Sequence, residues 1–152
     1  MSLHTYVSNR IHIVFAAKQR RELIPETLLE ELWAYVYGIC RNLGIKTYAI
    51  GGMRDHLHAF VGLPATIKLS EAAQKIKANS SRLLHEKGVK TFAWQEGYGA
   101  FSVGVSQTEA TIQYIRTQAQ HHAKRNYRAE FEAMLTMHGL KVTEDGKVET
   151  LG

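Results

Sequence analysis

Asp55-His56-Leu57-His58-Ala59-Phe60-Val61 alternates by twos. The stretch therefore reads as a β-strand with Leu57, Ala59 and Val61 on one face and His56, His58 and Phe60 on the other. Two imidazoles on one face, two residues apart, can share a divalent cation if a third ligand arrives from elsewhere in the fold. Each could equally be a surface histidine on a half-exposed strand, so the pair must be weighed against the rest of the chain.

Upstream, Ile45 to Met53 predicts a second strand, joined to the histidine strand by a tight connection at Arg54-Asp55. Gly51 and Gly52 late in that strand permit a bulge or the close approach of a ligand. Val7 to Phe15 alternates Ile11, Ile13 and Phe15 against Arg10, His12 and Val14, a half-buried first strand. Between these strands Pro25 opens a helix, and Leu28, Leu29, Leu32, Trp33, Val36, Ile39, Cys40 and Leu43 keep helical spacing up to Gly44. Downstream, Gly62 and Pro64 end the histidine strand. A second helix from Lys68 to about His85 turns Leu69, Ala72, Ala73, Ile76, Leu83 and Leu84 inward and stops at Gly88. Phe92 to Val105 sets Gly97, Gly99 and Gly104 among aromatics, which predicts a loop with special backbone angles running into a short strand from Phe101 to Val105. That loop is either a turn over the core or a hinge that positions the segment beyond Val105.

Strand, helix, strand, strand, helix, strand is the order of an α+β, ferredoxin-like βαββαβ sandwich with an antiparallel sheet, here with additional C-terminal helices. The two helices cover the Leu57 face. His56 and His58 then face the uncovered side, and the first strand, neighbouring the third, brings His12 near them. Ser106-Gln107-Thr108-Glu109 has capping-box spacing for a further helix with the stripe Ile112, Ile115 and Ala119. Tyr114 and Gln118 lie one turn apart on its flank, continued by His121 and Arg125. Asn126 to Met137 predicts another helix holding Phe131, Met134 and Leu135, and Lys141 to Gly152 reads as a loose polar tail. The expected organisation is one domain over residues 1–140 and a tail over 141–152.

The 152 residues, 45% hydrophobic, suffice for one core. Apolar runs are too short for a membrane span and the amino terminus lacks a signal-peptide core, which implies a soluble cytoplasmic protein. Cys40 has no intrachain partner and is expected as a buried thiol. Lys and Arg outnumber Asp and Glu 19 to 14, with a formal charge of +5 and a pI near 9.4, a balance that suits a polyanionic partner. The excess is clustered: Lys18, Arg20 and Arg21 after the first strand, Lys68, Lys75, Lys77 and Arg82 on the second helix, and Lys124, Arg125 and Arg128 further on. Arg10, His12, Lys18, Arg20, Lys75 and Arg82 are the candidate nucleic-acid contacts.

If the Tyr114 helix reaches the histidine face, the Gln118 amide oxygen is a suitable third ligand beside His56 and His58 for Mg2+ or Mn2+. Such a metal polarises a phosphodiester while Tyr114 attacks phosphorus and forms a phosphotyrosine. A phenol of pKa about 10 needs help to lose its proton, for which His121 or His122 is a candidate. A covalent link conserves the phosphodiester energy, so cutting and rejoining need no nucleotide cofactor, consistent with a chain that has no Walker-type phosphate loop.

His56-Leu57-His58, the segment Trp94 to Val103, and Tyr114-Ile115-Arg116-Thr117-Gln118 with His121-His122, in that order, resemble the single-tyrosine HUH transposases of small bacterial insertion sequences. The resemblance runs from about Tyr6 to Leu140. It implies a ferredoxin-like domain that cuts and rejoins single-stranded DNA at its own element's ends. His56, His58 and Gln118 would be metal ligands, and Tyr114 the nucleophile that takes a 5′-phosphate and frees a 3′-hydroxyl. It further implies recognition of DNA hairpins, and a homodimer in which the tyrosine helix can complete the partner's site, with Gly97, Gly99 and Gly104 as a hinge. Alternatives are a domesticated repeat-associated relative, a relaxase or replication initiator, and a non-catalytic module that stacks single strands on Phe60 and His12.

Overall fold

The computed structural model describes residues 4–118, 126–145 and 147–150. The chain separates into two compact units, residues 1–118 and 119–152, where the sequence suggests one domain to residue 140.

The first unit carries β1 (Arg10–Ala16), α1 (Leu29–Asn42), β2 (Lys46–Met53), β3 (His56–Gly62), α2 (Leu69–Glu86), β4 (Gly99–Ser102) and α3 (Thr108–Arg116). Its four strands pair antiparallel in the order β2-β3-β1-β4. This is the expected ferredoxin-like α+β sheet. Side-chain alternation sorts the two faces: Ile13, Phe15, Leu57, Ala59 and Val61 form the main core with Leu32, Val36 and Cys40 of α1 and Ala72, Ala73, Ile76 and Leu84 of α2. Each of these is at most 1% exposed, so the two amphipathic helices bury the whole face.

The opposite face, which α1 and α2 leave open, is covered by the Tyr114 helix and so is no open binding face. Helix α3 lies across it, and Ile115 packs on Ala49 and Phe60 with Tyr48, Ile112 and Tyr114 around them. Phe60 is fully buried, so it offers no stacking platform to a base. The glycines of β2 explain the approach. A Cβ on Gly51 would stand 2.8 Å from the carbonyl oxygen of Ile115. Gly51 thus admits a helix backbone rather than a ligand. Gly52, at φ 149°, turns against the backbone of His56. The irregularity in the β2–β3 ladder falls earlier, between Thr47 and Ala49.

Two local expectations change. The last strand starts at Gly99, because its ladder is set by Val14↔Gly99 through Ile11↔Ser102 and Val105 already belongs to a 3-10 turn. No capping box forms: Gln107 is the N-cap of α3 without a side-chain cap bond, and Thr108 Oγ1 instead donates to Gly104 O at 3.2 Å. The Phe92–Gly97 loop is tied to α2, with Lys77 Nζ donating to the carbonyls of Gln95 (2.8 Å) and Gly97 (3.0 Å) and Trp94 Nε1 to Ser80 Oγ. Burial lowers the Lys77 pKa, and Glu96 partly opposes this.

In the second unit, α4 (Tyr127–Met137) starts at Asn126, whose side chain accepts from Ala129 N–H at 3.0 Å. The expected loose tail instead holds a hairpin, β5 (Leu140–Val142) with β6 (Val148–Thr150). Lys141–Glu149 across the ladder and the Thr143–Asp145 turn give these polar residues partners, which composition alone does not reveal. Among the described residues no helix is long and apolar enough to cross a membrane.

Candidate active site

The site is built on β3 and β1 and closed by α3. His56 and His58 point to the same face and are both fully buried, their rings 4.9 Å apart. Asp55, in the turn before β3, receives His56 Nδ1–H on Oδ1 at 2.7 Å. That bond fixes the tautomer and turns Nε2 toward Gln118 Oε1, 2.9 Å away. Gln118 is held in turn by its Nε2–H, which donates to Tyr114 O at 3.2 Å. Helix α3 ends at Arg116, with Thr117 as its C-cap, so Gln118 reaches His56 from just beyond a break rather than along one continuous flank.

His58 Nδ1 lies 2.7 Å from His12 Nε2. The register explains it: Val14 pairs with His58 and His12 with Phe60, which sets His12 diagonally beside His58 on the same face. His12 is buried, so it is an internal partner of His58 and not an exposed nucleic-acid contact. The Tyr114 ring stands over this pair, edge-on at 5.7 Å from His58 and 6.3 Å from His12. Four residues expected to work together, His56, His58, Tyr114 and Gln118, meet within one chain.

The donor set fits a divalent cation. With Nδ1 turned to Asp55, His56 Nε2 and the Gln118 amide oxygen stand 2.9 Å apart, two electron-pair donors aimed at a position where a cation can be held. Histidine ligands braced by a carboxylate or a second acceptor are the usual arrangement around metals, and Asp55 and His12 occupy those bracing positions.

The basic candidates divide. Lys18 and Arg20 are exposed in a 3-10 turn directly past the His56 end of β1, anchored by Ala17 N–H to Asp55 O at 2.8 Å. Gln19 and Arg20 adopt φ of 59° and 55°, a strain on the order of 1–3 kcal/mol each that persists because Gln95 Oε1 accepts from Gln19 N–H at 2.8 Å. Lys75 and Arg82 sit on α2, across the sheet from the histidines, and Arg82 is spent on Asn79 and Tyr35. Arg128 pairs with Glu132. Arg10 is half-buried at the far end of β1. His121, His122, Lys124 and Arg125 lie outside the described residues. Asp55 escapes a reading by alternation because a neighbour on a regular strand faces away; it lies in the turn, where the alternation has not begun.

Comparison with known proteins shows the family. The family described as "Transposase IS200 like" matches residues 5–118. The transposases for insertion sequence element IS200 of Salmonella typhimurium and Salmonella typhi are each 27% identical over 125 residues, covering 77% of this chain and 81% of theirs. Two solved structures share the fold. One, from Deinococcus radiodurans R1 and assigned as a transposase, has a TM-score of 0.61 and 22% identity over 78% of this chain and 97% of its own. The other, a REP-associated tyrosine transposase bound to a REP hairpin, has a TM-score of 0.57 and 18% identity over 80% of this chain and 74% of its own. The match spans the sheet, the histidine pair and the tyrosine helix, and the chain belongs to the IS200-like transposase family.

Proposed function

We propose that this transposase cuts and rejoins single-stranded DNA at the ends of an insertion sequence, with Tyr114 as nucleophile and a divalent cation, Mg2+ or Mn2+, held by His56, His58 and Gln118. The observation that carries the reading is the Tyr114 ring against His58 with Gln118 Oε1 on His56 Nε2, all from one chain. The Tyr114 oxygen gives up its phenolic proton and forms a bond to phosphorus, the bond from phosphorus to the 3′-oxygen breaks, and in the net reaction that proton ends on the 3′-oxygen, which leaves as a 3′-hydroxyl. The 5′-phosphotyrosine is then open to attack by another 3′-hydroxyl, which rejoins the strand and frees the phenol. A bound cation supplies Lewis-acid polarisation of the phosphate and neutralises its developing charge. Burial of His56, His58 and His12 beneath α3 keeps the histidines oriented before DNA arrives. Lys18 and Arg20, at the same end of the sheet, are read as contacts to the DNA backbone there.

The test is a denaturant-stable adduct between the protein and labelled single-stranded DNA from the flanks of its gene, with Mg2+ or Mn2+. Wild type gives the adduct, and Tyr114→Phe, chelator and a duplex substrate abolish it. An adduct that survives Tyr114→Phe sinks the reading.

A further inference from the structure

At the other end of the sheet is a cavity of about 780 Å³ that the chemistry above does not use. Ser8, Asn9, Arg10, Lys46, Tyr48 and Thr66 give it its polar character, and no acidic side chain lines it. Its two cations converge on one ring: Arg10 Cζ lies 5.5 Å and Lys46 Nζ 4.9 Å from the centroid of Tyr48. Neither makes an ion pair among the described residues. Arg10 Nη1 donates to Ser8 Oγ at 2.7 Å, while its Nε has no hydrogen-bond partner among the described residues. Gly62 makes room for the cluster, since a Cβ there would meet Tyr48 Cε2 at 3.3 Å. Two unneutralised cations held within 5.5 Å of one ring centroid repel each other, an arrangement that an anion relieves.

We infer that this cavity is a binding site for a backbone phosphate of single-stranded nucleic acid, a reading that rests on the proposed DNA substrate. The ring decides between phosphate and base. Tyr48 is stacked on Phe60 at 4.9 Å and overlaid by the two cations, so the ring is already occupied and the groups left to meet a ligand are the Arg10 and Lys46 charges. Recognition is then independent of sequence and sensitive to salt. The position suits a strand that also reaches Tyr114: Gly62 is at the cavity and His58 at the active site, four residues apart on β3, or about 13 Å.

The experiment is fluorescence anisotropy of labelled single-stranded oligo(dT) and oligo(dC) in chelator, where no cleavage occurs. Wild type is compared with Arg10→Gln, Lys46→Gln, the double variant, and Lys87→Gln, which pairs with Glu31, as the control for loss of one positive charge. Each cavity variant is expected to lose about tenfold in affinity and to lower the salt slope by about one, equally for both oligonucleotides. Arg10→Lys and Lys46→Arg, which keep the charge, are expected to retain most of it even where the packing of Tyr48 changes. Affinity and slope unchanged, losses no larger than for Lys87→Gln, or a wild type that does not bind oligonucleotide overturns the site. The Tyr114 adduct assay is independent: an adduct formed equally well by the double variant leaves the transposase reading standing and removes the cavity from it.

Discussion

Each of the two strand histidines in the site has a partner on the ring nitrogen that the metal reading leaves unused. His56 Nδ1 donates to Asp55 and His58 Nδ1 meets His12 Nε2, both at 2.7 Å. With a cation on the outer nitrogens, His58 Nδ1 must carry its proton and give it to His12. Removing either brace frees a ligand ring to rotate and to change tautomer. His12→Ala and Asp55→Asn are therefore each expected to weaken Mn2+ binding by about 10–100-fold in isothermal titration, with the fold retained by circular dichroism. Affinities equal to wild type would show that the braces do not orient the ligands. Cys40 is set by the opposite kind of environment. Burial raises its thiol pKa, with a Thr47 hydrogen bond opposing, so little thiolate exists at neutral pH. Iodoacetamide is expected to leave Cys40 unlabelled in the native protein and to modify it in denaturant, read by mass spectrometry.

At the scale of elements, the contact that matters most is α3 on β2. Helix α3 carries Tyr114, and its closeness to the sheet depends on Gly51 having no side chain. Gly51→Ala forces Ile115 and its backbone outward, an overpacking expected to cost about 1–3 kcal/mol in urea unfolding and to suppress the Tyr114 adduct further by displacing the ring from His58. Gly38 is the control. It sits inside α1 with open space around its Cα, so Gly38→Ala is expected to gain about 0.5–1 kcal/mol and leave the adduct intact. If the two substitutions behave alike, the close approach of α3 is not what Gly51 serves.

At the scale of the molecule, the tyrosine and the histidines of one chain come together without a second copy. The proposed catalysis is accordingly expected to run in cis. A mixture of His56→Ala/His58→Ala protein with Tyr114→Phe protein should form no adduct, because no protomer then holds both halves of the site. Recovery of activity in the mixture, with either variant alone inactive, would assign Tyr114 to the partner's histidines, as in the exchanged dimer that the family resemblance implies.

The periodicities of the chain determined its sheet and its two covering helices, because a half-buried strand must alternate and an amphipathic helix must keep a stripe. Those alone yield the antiparallel order, the core under Leu57, Ala59 and Val61, and a common face for His56 and His58. Tertiary structure alone decided what covers that second face. Local pattern showed a helix with an apolar stripe at Ile112 and Ile115, but nothing in it says that the stripe lands on Phe60 or that Gly51 is the gap receiving it. The same holds for His12, whose role comes from strand register, and for Arg10 and Lys46, which lie 36 positions apart in the chain and meet only over Tyr48. The cause is physical: local periodicity depends on neighbours within a turn or two, whereas a site depends on which distant surfaces exclude water together, and that is settled only when the whole chain packs.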